Sequence, residues 1–151
     1  MLVIGVGNPF RKDDGAGPAA AALVKAGAPM GVRVLVRGGE AADLIECWEL
    51  DDDVVIIDAM KAGMEPGSIK RIDAVAGPFP VEDFKLSSHS FGVAEAVEIA
   101  RVLARLPKSL IVYGIEAHDV ADGEGLSPAV QKAVAEVASQ ILSASSAIPS
   151  R

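Results

Sequence analysis

The chain has 151 residues, of which 50% are hydrophobic, 4% aromatic and 23% charged; this excludes disorder along its length and allows one buried core without a disulfide or metal staple. With Asp and Glu at 21 against Lys and Arg at 14, the formal net charge is -7, so neither nucleic acid nor an anionic membrane surface is an expected partner. The single cysteine, Cys47, excludes intramolecular disulfides, CxxC chemistry and multi-cysteine zinc sites. A reducing, cytoplasmic location is expected, because the N-terminus shows no secretory signal and no apolar run reaches the roughly 18 residues that a membrane span needs.

Short β-rich apolar runs alternate with longer stretches of helical period. The pattern predicts one α/β domain over residues 1–151, with a central twisted, mostly parallel five-stranded sheet and helices on both faces. Strands are predicted near Leu2 to Val6, Val32 to Val36, Val54 to Asp58, Ser68 to Ile72 and Leu110 to Ile115. The first helix is expected from about Gly15 to Ala26. The second, from about Glu40, places Ala41, Leu44, Ile45 and Trp48 on one face, which makes Trp48 a core residue. Gly77-Pro78-Phe79-Pro80 reads as an irregular loop, because two prolines deny donors to a ladder. A third helix from about Ser90 to Leu106 directs Val93, Val97, Ala100 and Leu103 inward, and Pro107 follows it. The last is capped by Ser127, has Pro128 in its first turn and runs to about Leu142, leaving 143–151 as a frayed tail.

In such a sheet, the loops leaving the C-terminal ends of the strands converge on one edge, where ligands bind. The first strand exits into Gly5-Val6-Gly7-Asn8-Pro9-Phe10-Arg11-Lys12-Asp13-Asp14-Gly15. This is not a dinucleotide loop: Phe10 occupies the place of the third glycine, and two carboxylates at the start of the helix would repel a pyrophosphate. Helix capping accounts for one member of the Asp13-Asp14 pair and leaves the other unassigned. The third strand ends in Asp58, whose plain alternative is a turn-forming role. His89, in Ser87-Ser88-His89-Ser90, stands at a helix start that disfavours imidazolium; it offers either a nitrogen lone pair to a metal or a hydrogen bond to a loop carbonyl. Together, Asp14, Asp58 and His89 supply two oxygens and one nitrogen from three connections, an open site for a borderline divalent ion. A nucleophilic route is disfavoured. Cys47 lies mid-helix beside Trp48, Ser87, Ser88 and Ser90 read as caps, and neither a GxSxG elbow nor an HExxH pair occurs.

Four ordered motifs, Gly7-Asn8 with Asp13-Asp14-Gly15 and Gly17, Ile57-Asp58-Ala59, Ser88-His89 with Gly92, and Gly114-Ile115-Glu116, make the chain resemble the hydrogenase maturation proteases from Leu2 to about the last helix. The resemblance implies an endopeptidase that removes the C-terminal extension of a nickel-iron hydrogenase large subunit after nickel insertion. Its metal-contacting positions fall on Asp14, Asp58 and His89. The metal is nickel carried by the substrate, the partner is the large-subunit precursor, and no organic cofactor is implied. Two positions depart from the family pattern. Arg37-Gly38-Gly39-Glu40 stands where many relatives have an acidic residue before Gly-Gly-Thr, and Ala117-His118 replaces a proline that often follows Gly-Ile-Glu; His118 reads as a loop residue. The ion either polarises the scissile carbonyl or an attacking water, or acts as a handle holding the tail near a carboxylate base, Asp14 or Asp58. A non-enzymatic escort of the nickel-loaded subunit uses the same residues, and a small-molecule hydrolase on a related scaffold rests on fold alone.

Overall fold

Val, Ile and Leu occupy both faces of the central strands, so the sheet must be covered twice. The computed structural model, which describes residues 1–85 and 92–146, shows this arrangement. Strands β1 (Leu2–Val6), β2 (Arg33–Arg37), β3 (Asp53–Met60), β4 (Ile69–Asp73) and β5 (Ser109–Glu116) form one sheet in the order β2-β1-β3-β5-β4. All neighbours run parallel except the edge strand β4, which pairs antiparallel with β5. Helices α1 (Ala16–Gly27) and α4 (Pro128–Ser146) bury Val3, Val55, Ile57, Tyr113 and Ile115 on one face. Helices α2 (Ala41–Glu46) and α3 (Gly92–Val102) cover Leu2, Ile4, Val54, Ile56 and Val112 on the other. Among the described residues, no helix is long and apolar enough to cross a membrane.

The predicted architecture holds, and several element ends differ from expectation. Strand β3 runs two residues beyond Asp58, because Ala59 and Met60 pair with Ile115 and Glu116 of the longer β5. Helix α2 ends at Glu46, so Cys47 is its half-buried C-cap, not a mid-helix residue. Trp48 is nonetheless fully buried, and its indole N–H donates to the Arg105 carbonyl at 2.9 Å. Helix α3 stops at Val102 and leaves Leu103 61% exposed, not inward. The cause is a left-handed turn at Ala104 (φ 56°), where the Arg105 N–H reaches back to the Ala100 carbonyl at 2.7 Å. Helix α4 continues through residues 143–146, expected to fray, with the Ser145 and Ser146 hydroxyls donating to the Leu142 carbonyl. Residues 147–151 of the expected tail, and Ser87, Ser88, His89 and Ser90, lie outside the described residues.

Candidate active site

Alternation along β3 places the Asp58 side chain on the face of Val54, Ile56 and Met60, beneath α2 and α3. Its register partner on β5 is Gly114, which leaves room there for Met60 and Phe84. At this edge opens a cavity of about 190 Å³ whose walls include Val6, Asn8, Arg11, Asp14, Asp58 and Phe84. Gly7, Gly38, Gly39 and Gly92 complete the lining, so much of the wall is main chain. The structure thus brings Asp14 and Asp58 to one cavity; His89 lies outside the described residues.

Asp14 arrives on a 3-10 turn, Lys12–Gly15, between β1 and α1. Two glycines set how closely this turn approaches the sheet. Gly7, at φ +144°, lies against the Asp14 carbonyl, and Gly17 lies against the Val6 and Ile57 carbonyls; a Cβ at either position would collide with main chain. Neither carboxylate caps α1 by a side-chain hydrogen bond: its N-cap is Gly15. Instead, the Asn8 N–H donates to Asp14 Oδ2 at 3.0 Å.

Asp13 points the other way and is fully buried. Its carboxylate accepts the N–H groups of His118 (2.9 Å), Asp119 (2.9 Å) and Ser127 (2.8 Å), and the Ser127 hydroxyl at 2.9 Å. The hydroxyl expected to cap α4 is therefore engaged by Asp13. Main-chain bonds from Lys12 to Gly123 and from Gly123 to Phe10 (both 2.9 Å) complete the attachment of the first loop to the loop after β5. Lys12 adopts a left-handed conformation (φ 44°), uncommon for a residue with a side chain, and its ammonium meets Asp119 at 3.0 Å.

Burial pushes both cavity carboxyls upward. For Asp58 burial acts first and the Asp14 charge second; against the Ala59 N–H, they hold it well above the usual carboxylate range. Asp14 is raised by burial, with the Asn8 N–H and the Arg11 charge opposing. For Asp13, burial is outweighed by the hydrogen bonds from Ser127, Asp119 and His118, which hold it below that range. Two facing carboxyls of unlike proton affinity can share a proton or take a cation between them. Among the described residues no group of three His, Cys, Asp or Glu is arranged to hold a metal ion.

The departures from the family pattern resolve into main chain. Glu40 is exposed at the start of α2 without a side-chain cap bond, and its stretch contributes Gly38 and Gly39 to the cavity. His118 is an exposed loop residue whose N–H serves Asp13. Sequence reasoning did not place Glu116, which is 2% exposed and accepts the N–H groups of Ala62, Gly63 and Met64, fixing the loop after β3. It also gave Arg11 no role. For Glu116 the signal was its place in the Gly114-Ile115-Glu116 motif, and for Asp13 it was the unassigned carboxylate of the Asp13-Asp14 pair.

Residues 19–144 match the hydrogenase maturation protease family. The chain is 31% identical to the hydrogenase expression/formation protein HupD of Bradyrhizobium diazoefficiens, over 94% of this chain and 77% of that protein. It is 28% identical to HupD of Thiocapsa roseopersicina, over 89% of this chain and 62% of that protein's length. The solved structure of the hydrogenase maturating endopeptidase HybD from E. coli superposes with a TM-score of 0.77 at 24% identity, covering 95% of this chain and 90% of that one, which shows a shared fold. From the match along most of its length and the HupD relationship, the chain belongs to the hydrogenase maturation protease family.

Proposed function

We propose that this protein is an endopeptidase that removes the C-terminal extension of a nickel-iron hydrogenase large subunit once nickel is in place, reading the nickel carried by that substrate. The observation that carries the reading is the pair of buried Asp58 and half-buried Asp14 lining one cavity on this family's fold. Their mutual repulsion is relieved by a divalent cation, so a loaded subunit gains an interaction that an unloaded one lacks. Asp14, Asp58 and His89 are the nickel-contacting residues in this proposal. The metal serves as the recognition handle, and a carboxylate of the pair takes the proton of the attacking water. Asp14, the less buried and less strongly raised of the two, fits the base better. The partner is the large-subunit precursor, the setting is cytoplasmic, and no organic cofactor takes part.

The test is intact-mass measurement of nickel-loaded and nickel-free precursor after incubation with purified protein. Shortening of the loaded precursor alone is expected. A precursor that stays at full length while co-purifying with the protein would assign it an escort role instead. Asp14→Asn, Asp58→Asn and His89→Ala are expected to keep the fold and lose cleavage; full processing by all three would refute the site.

A further inference from the structure

Among the described residues, three charged ones line the cavity: Asp14, Asp58 and Arg11. Two adjacent cations leave β1, and the fold sorts them. Lys12 is committed to Asp119 at 3.0 Å. Among the described residues, the Arg11 guanidinium makes no hydrogen bond and has no carboxylate within 4.0 Å, although its charge is felt by Asp14. Its main chain is fixed, with its N–H on the Asn8 carbonyl at 3.1 Å, its carbonyl receiving the Asp14 N–H at 3.0 Å, and a bridge to Gly123. A strained residue, Lys12, follows directly. An anchored backbone presenting an uncommitted guanidinium to a cavity with four glycines in its lining suits a main-chain ligand whose oxygen needs a charged donor.

We propose that Arg11 is a catalytic residue, binding the scissile carbonyl oxygen of the substrate and stabilising it as it becomes an oxyanion; this rests on the endopeptidase reading above. In the addition half, the oxygen of a water bonds to the carbonyl carbon and its proton passes to a carboxylate of the pair. The π electrons of the C=O move onto the oxygen, where the guanidinium meets the new charge. In the collapse half the C=O re-forms, the C–N bond breaks, and the leaving nitrogen takes the proton back from the carboxyl. Nothing is oxidised or reduced. The carboxylates handle the cation and the proton, and neither can stabilise an anion; among the described lining residues, Arg11 is the charged group that can.

The experiment compares wild type, Arg11→Ala and Arg11→Gln on nickel-loaded precursor, following cleavage by intact mass across pH, with precursor capture and circular dichroism run in parallel. Losing one oxyanion donor is expected to lower kcat by about 10²–10³-fold with little change in KM. The plateau of the pH profile is expected to fall, with added guanidinium chloride in the millimolar range recovering part of the rate of Arg11→Ala. Arg11→Gln, which keeps a polar side chain, serves if the alanine variant does not fold. A wild-type-like plateau with only its acid limb displaced would reduce Arg11 to a neighbour of Asp14 and overturn the inference, as would a pure KM effect. Should wild type itself leave the loaded precursor uncut, the endopeptidase reading falls and takes this inference with it; cleavage by wild type and variants alike removes the inference alone.

Discussion

Replacing Asp13 probes the attachment that carries the candidate site. Its buried carboxylate gathers three main-chain N–H groups and one hydroxyl from residues more than a hundred positions away. Each hydrogen bond to a charged group contributes about 1.5–3 kcal/mol, but the four share one acceptor and relax together, so they do not sum. Asp13→Ala leaves four donors unpaired in a part-buried setting; at about 1–3 kcal/mol for each unsatisfied donor, with partial relaxation, it is expected to cost about 3–5 kcal/mol. In a domain of this size each kcal/mol moves Tm by about 2–4 °C, so a fall of about 6–20 °C is expected. Asp13→Asn keeps one acceptor oxygen. Placed at Oδ2, that oxygen retains His118, Asp119 and the Ser127 hydroxyl, while the amide NH₂ faces the Ser127 N–H; one unsatisfied buried donor costs about 1–3 kcal/mol. Because Asp13 titrates below its unfolded value, its stabilisation is present above about pH 4 and is lost as pH falls through the folded value. Urea unfolding of the three proteins at pH 7 and pH 3 measures both effects. The expected order at pH 7 is wild type, asparagine, alanine, with the gaps narrowing at pH 3. An alanine variant within about 1 kcal/mol of wild type at pH 7 would refute the reasoning, since that is no more than an average substitution costs.

Asp58 titrates above its unfolded value, so its contribution is favourable below about pH 4 and is lost as pH rises toward the folded value. Asp58→Asn is therefore expected to be more stable than wild type at pH 7 and to lose that advantage at pH 3.5, by urea midpoint, while losing cleavage; a less stable variant at pH 7 contradicts the burial argument. A methyl group at Gly114 would meet Met60 Sδ at 2.6 Å and Phe84 Cζ at 2.9 Å beside Asp58. Gly114→Ala is expected to cost about 1–3 kcal/mol by overpacking and to slow processing through displaced Phe84, and a wild-type melt with wild-type cleavage would show that the wall yields freely. At Cys47 burial pushes the thiol up, against Arg37, and its Sγ contacts the Asp43 carbonyl at 3.2 Å. Cys47→Ala is expected to process precursor at the wild-type rate, and loss of cleavage in a folded variant would reopen a thiol route.

The architecture was legible because its signals are local. The β1 and β3 segments are apolar throughout, the helices follow the 3.6-residue period, and Pro128 marks a helix start. Errors fell where distant pairing decides the outcome. Strand β3 passes Asp58 because β5 is long enough to pair with it, and α3 ends in a left-handed turn formed by Ala104, with no glycine to announce it. At the site, sequence singled out Asp14 and Asp58 and left the adjacent carboxylate unassigned. In a 3-10 turn neighbouring side chains diverge, and which acid faces the cavity depends on the close approach at Gly7 and Gly17 and on donors in residues 118–127. Arg11 was silent for a related reason: its distinction from Lys12 is that Asp119, far along the chain, holds one cation and not the other.

Asp14 and Asp58 are proposed to act on one cation, and diffraction from crystals soaked in nickel or cadmium addresses that directly. The expected result is one anomalous peak within coordination distance of both carboxylates, with His89 as a third ligand, that vanishes in Asp58→Asn. A peak bound by a single carboxylate, or by residues outside this cavity, contradicts it.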